Sequence, residues 1–322
     1  MDFRTTISPG KPMPIIRHSR PVVMMGSCFT DNIGQRLADA MFDVTINPWG
    51  VMYNPVSIAR EISYILRKET IPPFSIINRA ERCYSLYLHS KLSGSTIEEL
   101  TSNVLDLENE VYGKISTASA MVITFGSATL YRHISTGTIA GNCHKIPAKE
   151  FEIERLDTEK ALALWINTID SLLDINPNIS IIFTVSPIRY KAYGFHSSML
   201  DKARLLILID QIQEHYVHLG NKITYFPAYE IMMDDLRDYR FYAADMIHPS
   251  DVAIDYIFDI FSHQYCSEKT LSFARECISL TKRQKHINII GSEKSKQQFD
   301  AQTEQIRELL LAEIQKQKDN EV

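Results

Sequence analysis

Two stretches far apart in the chain carry side chains whose types and spacing could do chemistry. The first is Gly26-Ser27. It follows four apolar residues, Val22-Val23-Met24-Met25, and precedes a helical pattern in which Ile33, Leu37 and Met41 recur every four residues. Ser27 therefore sits on a strand-to-helix turn, beside the free N–H groups of a helix start. A hydroxyl there can attack a carbonyl while adjacent backbone donors hold the oxyanion. The second is Asp245-Met246-Ile247-His248, in a loop that opens a helix at Pro249 or Ser250. A carboxylate three residues before a histidine can hold one ring nitrogen and leave the other free to take a proton from a serine. Each stretch also has a plain reading: Ser27 closes a turn, and His248 caps the helix that follows it.

Other chemistry-bearing residues compete less well. Cys28 with Cys143-His144 could form a thiol–imidazole pair, but Cys28 follows Ser27 directly and both side chains cannot point at one substrate, so a buried thiol is expected. Cys143, His144, Asp245 and His248 lack a metal-ligand spacing, and neither a metal nor a cofactor is expected. His144 and Lys145 are candidates to line a pocket. Arg189 could pair with a substrate carboxylate or be merely solvated or salt-bridged. Trp49 could stack on a sugar ring or sit in the core.

Elements able to position these groups follow from the pattern. Met121–Phe125 and Ile179–Val185 are continuous apolar runs like Val22–Met25, and Phe42–Asn47 alternates. Helices are expected from Asn54-Pro55, over 97–115, over 157–173 and over 199–219, with a last strand at Ile223–Phe226. A short strand at Ser85–His89 and a hairpin pairing Thr129–His133 with Thr138–Ala140 are also expected. Continuous apolar strands alternating with helices indicate a parallel sheet covered on both faces, with ligands outside the carboxyl ends of its strands. Ser27, Gly50, the stretch after Gly126 and Ser186 all follow strand ends and should share that edge.

The 322 residues are 45% hydrophobic and 23% charged, enough for a sizeable core. A net charge of −5 argues against a nucleic-acid partner. Five scattered cysteines make no disulfide framework, Met1–Thr5 lacks the apolar core of a signal peptide, and no run is long enough to span a membrane. A cytoplasmic setting without membrane contact is the expectation. Two units are expected: 1–265 as the α/β body, and 266–322 as a charged helical extension. Leu309, Leu310 and Ile314 give that extension an apolar stripe that docks on the body or makes a homo-oligomer.

Gly26-Ser27-Cys28-Phe29-Thr30 resembles the signature of the GSCFA-domain family, with Thr30 where the name has Ala. Asn47–Pro55, Gly141–Lys145, Thr184–Pro187, Tyr225–Glu230, and Asp238–Tyr242 running into Asp245–Pro249 resemble the same family, which is similar to the SGNH, or GDSL-like, hydrolases. The resemblance implies a flavodoxin-like three-layer α/β/α sandwich with a central, mostly parallel sheet. It also implies a catalytic Ser27–Asp245–His248 site and an oxyanion hole of the Ser27 N–H, the Gly50 N–H and a third donor. SGNH enzymes carry Gly-x-Asn-Asp after the third strand; this chain has Gly126-Ser127-Ala128-Thr129, so Asn142 is the nearest substitute. The activity implied is an esterase on a small-molecule or carbohydrate ester, such as an O-acetylated sugar. Alternatives are an O-acyltransferase with the same acyl-enzyme and a non-catalytic glycan- or ligand-binding module.

Overall fold

A computed structural model describes residues 4–285 and 293–320. The first three residues of the lead-in, the 286–292 junction and the last two residues lie outside the described residues. Five parallel strands form the centre: β1 (Val22–Gly26), β2 (Val44–Ile46), β3 (Ala120–Phe125), β4 (Ser180–Val185) and β5 (Ile223–Phe226), in the order β2-β1-β3-β4-β5. Val22 lies opposite Ala120, and Ala120 opposite Ser180, so the strands run in step to one carboxyl edge.

Alternate residues of each strand feed opposite layers, as a buried parallel sheet requires. Val23, Met25, Met121, Ile123, Ile181 and Phe183 pack under α2 (Pro55–Arg67), α3 (Ile97–Thr117), α4 (Thr158–Ile175) and α5 (Phe195–His215). Val22, Met24, Ala120, Val122 and Ile182 pack under α1 (Cys28–Asp39) and α6 (Asp251–Tyr265). The result is the three-layer α/β/α sandwich expected, its central sheet wholly parallel. Caps fix where helices begin: Ser27, Asn54, Thr96, Asp157 and Ser250 each accept a first-turn N–H.

The C-terminal helices α7 (Glu268–Lys285) and α8 (Glu293–Asp319) dock on the body. Cys277, Leu280 and Leu310 form a small buried cluster against Met41, and the Thr281 hydroxyl donates to Asp39 O at 2.7 Å.

Three expected elements differ. The strand placed at Ser85–His89 is instead the antiparallel hairpin Ile76–Arg79 with Arg82–Ser85. Thr129–His133 pairs with the expected segment Thr138–Ala140 only around the Arg132–Ile139 bridge, where the His133 N–H donates to Thr138 O and the Ala140 N–H to Tyr131 O, both at 2.8 Å; its full partner is the unexpected strand Phe151–Arg155. The helix expected over 199–219 is α5, which starts four residues earlier because Gly194, at φ +83°, turns the chain into it.

Candidate active site

In the order β2-β1-β3-β4-β5 the chain direction across the sheet reverses between β1 and β3, which opens a crevice at their carboxyl ends. Ser27 stands at that point. Gly26 before it has φ +139°, and a Cβ there would lie 2.2 Å from Thr124 O on β3, so only glycine allows the close approach. Ser27 caps α1, its Oγ accepting the Phe29 N–H at 3.3 Å, and its own N–H donates to Thr124 O at 3.2 Å. The residue is buried.

Asn47, at the end of β2, braces this turn. Its Oδ1 accepts the Gly26 N–H at 2.8 Å, and its Nδ2 donates to Asp31 in the first turn of α1 at 2.6 Å. Asn47 also opens the turn to Gly50, whose N–H donates to Asn47 O at 2.7 Å. Gly50 has φ +91° and lies so close to His89 that a Cβ would come within 2.2 Å of its Cβ. The next residues cross the crevice. The Met52 N–H donates to Gly26 O, and Tyr53 O accepts the Gly126 and Ser127 N–H groups at 2.7 and 2.9 Å.

Gly141 sits against Met52, and both the Gly141 and Asn142 N–H groups donate to Leu86 O. The Asn142 Oδ1 accepts the His144 N–H at 2.8 Å; its Nδ2 has no acceptor among the described residues.

Asp245 and His248 form one unit. His248 Nδ1 and Asp245 Oδ2 are 2.6 Å apart, and Asp245 Oδ1 accepts the N–H groups of Ile247 and His248 at 2.9 and 3.0 Å. Those bonds hold the Asp245 carboxyl well below the usual carboxylate range, the His248 N–H first, then its imidazole, then the Ile247 N–H. Both side chains are about half exposed. Ile247 O accepts the N–H of Arg189, which follows β4, at 3.4 Å. The pair's loop thus lies at the carboxyl edge of the sheet. Among the described residues, Ser27 Oγ bonds only the Phe29 N–H and His248 does not reach it.

The model of the GSCFA family matches residues 21–261, three quarters of the chain. The chain belongs to the GSCFA family. No curated protein matches it in sequence. Three solved structures are similar at low identity. One is a carbohydrate esterase family 2 enzyme with a carbohydrate-binding domain from Corynascus thermopiles (Myceliophthora fergusii): 11% identity, TM-score 0.40, 83% of this chain and 68% of that one. The second is a family 3 carbohydrate esterase of Clostridium thermocellum: 12%, TM-score 0.36, 80% and 97%. The third is an acetyl xylan esterase of Butyrivibrio proteoclasticus: 12%, TM-score 0.41, 80% and 65%.

The structure of this GSCFA chain corrects several expectations. Trp49 is fully buried and cannot stack on a ligand. His144 is buried too, and its ring nitrogens are taken by Ser90 Oγ at 3.0 Å and Ser85 O at 2.7 Å; it fixes the loop and does not line an opening. Two of the three expected oxyanion donors, the Ser27 and Gly50 N–H groups, are already bonded to Thr124 O and Asn47 O. Arg189 has no salt bridge among the described residues. Its Cζ lies 4.8, 5.3 and 5.8 Å from the ring centroids of Phe195, Tyr242 and Tyr239. Cys28 is partly buried, and burial raises its thiol pKa, which removes it as a nucleophile. Among the described residues no cluster could hold a metal, and no helix is long and apolar enough to cross a membrane.

Lys202, on α5, has no local signal in the sequence. It is buried, and its ammonium donates to Gly126 O and Ser186 O, both at 2.8 Å, tying the carboxyl ends of β3 and β4 together. Burial pushes its pKa down to about 7, against the nearby Asp201 and Cys28, which favour its charge. A lysine inside a helical pattern reads as solvated; only the burial of its position on α5 reveals it.

Two carboxyls lie behind the Gly50 turn. Glu61 Oε1 accepts the Trp49 N–H at 2.8 Å, and Glu108 is buried with both oxygens unbonded. Desolvation pushes Glu61 up to about 8, against the Trp49 N–H and helped by Glu108, and pushes Glu108 up to about 7, with Glu69 adding to it. The Trp49 indole N–H favours ionised Glu108 but falls short of hydrogen-bond geometry. The fold therefore holds protons that the unfolded chain releases. That contribution to stability is full below the ordinary carboxyl range and is lost as pH rises through about 8. The Tm should fall on the order of 5 °C between pH 5 and pH 7, below the range in which loss of the Lys202 proton acts in the opposite direction. Glu61→Gln, which keeps the acceptor for Trp49, should flatten that slope. Calorimetric scans at both pH values check it, and an unchanged slope in the variant would place the titration elsewhere.

Proposed function

We propose that this GSCFA chain is a serine hydrolase that cleaves an acyl ester through an acyl-enzyme on Ser27. The observation that carries the reading is the Asp245–His248 pair, locked at 2.6 Å on the sheet edge where Ser27 caps α1 at the strand-order reversal. Ser27 Oγ attacks the carbonyl carbon as His248 takes its proton. Asp245 orients the ring and balances its charge. The tetrahedral intermediate expels the alcohol, which takes the proton back from His248. Water then attacks the acyl-enzyme by the same route. His248 must close on Ser27 for the first transfer, a tightening usual when substrate binds. O-acetylated carbohydrates are among the esters to test, and a sugar hydroxyl in place of water would make the same intermediate an acyl-transfer step.

The oxyanion falls chiefly to the Asn142 amide, because its Nδ2 has no acceptor among the described residues while the Ser27 and Gly50 N–H groups can offer only shared bonds. Asn142→Ala should lower kcat by roughly 10²- to 10³-fold, measured on 4-nitrophenyl acetate. A loss of twofold or less would remove Asn142 from the site. The reading as a whole is tested by a fluorophosphonate probe followed by peptide mapping. Adduct on Ser27 is expected. An intact protein, or an adduct on another residue, would favour a non-catalytic binding module or a different nucleophile.

A further inference from the structure

The loop after β4 carries an arginine, Arg189, whose charge no carboxylate answers among the described residues. Arg189 makes no salt bridge among the described residues, although Asp238 and Asp245 lie on the same facing loop; Asp238 pairs with Arg240 and Asp245 with His248. Its guanidinium is instead set over Phe195, Tyr239 and Tyr242. The tyrosyl oxygens of Tyr242 and Tyr239 raise its pKa, so it stays charged. Three rings desolvate this cation without neutralising it, and an anion entering there gains more than it would in water. The surroundings are open: Tyr190, Tyr193, Phe195 and Tyr239 are all exposed. Tyr190 also lies within electrostatic reach of Tyr53, which shares its neighbourhood with Cys28 and Asp31 at the Ser27 turn. Exposed rings thus surround an arginine that no described carboxylate pairs, beside the backbone bond from Arg189 to Ile247 in the histidine loop.

We propose that Arg189 and its surrounding rings form a subsite for a carboxylate carried on a ring of the substrate, so that the natural ester is an acidic, ring-bearing one. This rests on the serine-hydrolase reading of the same site. A guanidinium holds a carboxylate through two parallel hydrogen bonds, and the exposed tyrosines offer faces for the ring.

The test compares 3-acetoxybenzoate with its methyl ester, two acetyl esters that differ by one charge. The wild type should prefer the carboxylate about tenfold or more in kcat/KM, and added salt should shrink that preference. Arg189→Gln should bring the ratio of the two kcat/KM values to about one, and Arg189→Lys, a point charge without the fork, should fall between. A wild type without preference, or a ratio that Arg189→Gln leaves intact, overturns the proposal. If the wild type cleaves neither ester and Ser27 takes no fluorophosphonate, the hydrolase reading fails by itself. Calorimetric binding of benzoate to wild type and to Arg189→Gln then decides the subsite: binding lost in the variant supports it, and equal or absent binding overturns it.

Discussion

Ser27→Ala is expected to lower kcat on 4-nitrophenyl acetate by on the order of 10⁴- to 10⁶-fold, and to abolish fluorophosphonate labelling. The change removes the attacking oxygen and leaves the Asp245–His248 pair untouched. It also removes a helix cap, because Ser27 Oγ accepts the Phe29 N–H. A cost of about 0.5–2 kcal/mol is expected from that loss, seen as a Tm drop of a few degrees. The two effects separate with Ser27→Gly, which also removes the hydroxyl but costs only about a few tenths of a kcal/mol at a helix cap. Folded Ser27→Ala protein with wild-type turnover would end the assignment.

The second large effect concerns the histidine loop. His248→Ala should cost about as much as Ser27→Ala, since the proposed mechanism gives its imidazole the Ser27 proton. Asp245→Asn should cost about 10³- to 10⁴-fold, because an amide can still accept the Ile247 and His248 N–H groups but no longer enforces the ring tautomer. The double variant should lose little beyond His248→Ala, because residues that act as one unit are not additive. kcat/KM of the wild type should also fall toward acid, as a protonated imidazole cannot accept the Ser27 proton. The Asp245 carboxyl, held well below the usual carboxylate range, stays ionised through that fall. Additive losses, or activity flat from acid to neutral pH, would reduce His248 to a loop residue.

Contiguous signals were legible in the sequence. Val22–Met25 and Ile181–Phe183 are apolar throughout because both faces of their strands are covered. The Ser27 turn and Asp245–His248 could be picked out because each unit lies within a few residues. What escaped depends on contacts between distant segments. Asn47 binds Gly26 and Asp31, His89 packs on Gly50, and Lys202 reaches across two strand ends; nothing local marks them. Trp49 looked like a ligand face because it adjoins Gly50, yet backbone bonding through Glu61 turns that segment inward. The strand Phe151–Arg155 alternates, but its partner, Thr129–His133, also bonds the nearer Thr138–Ala140, and that local hairpin hides the longer pairing.

The tight floor beneath Ser27 bears on how such a protein can diverge. At positions 26 and 50 a single added carbon would strike Thr124 O or the His89 Cβ at 2.2 Å, so no side chain can be tried there without dismantling the turn. Tyr53, Tyr190, Phe195 and Tyr239 end in solvent and can be exchanged at little cost to the fold. A lineage keeping this floor would change its choice of ester by redrawing the rim, one exposed ring at a time, while the reaction stayed the same.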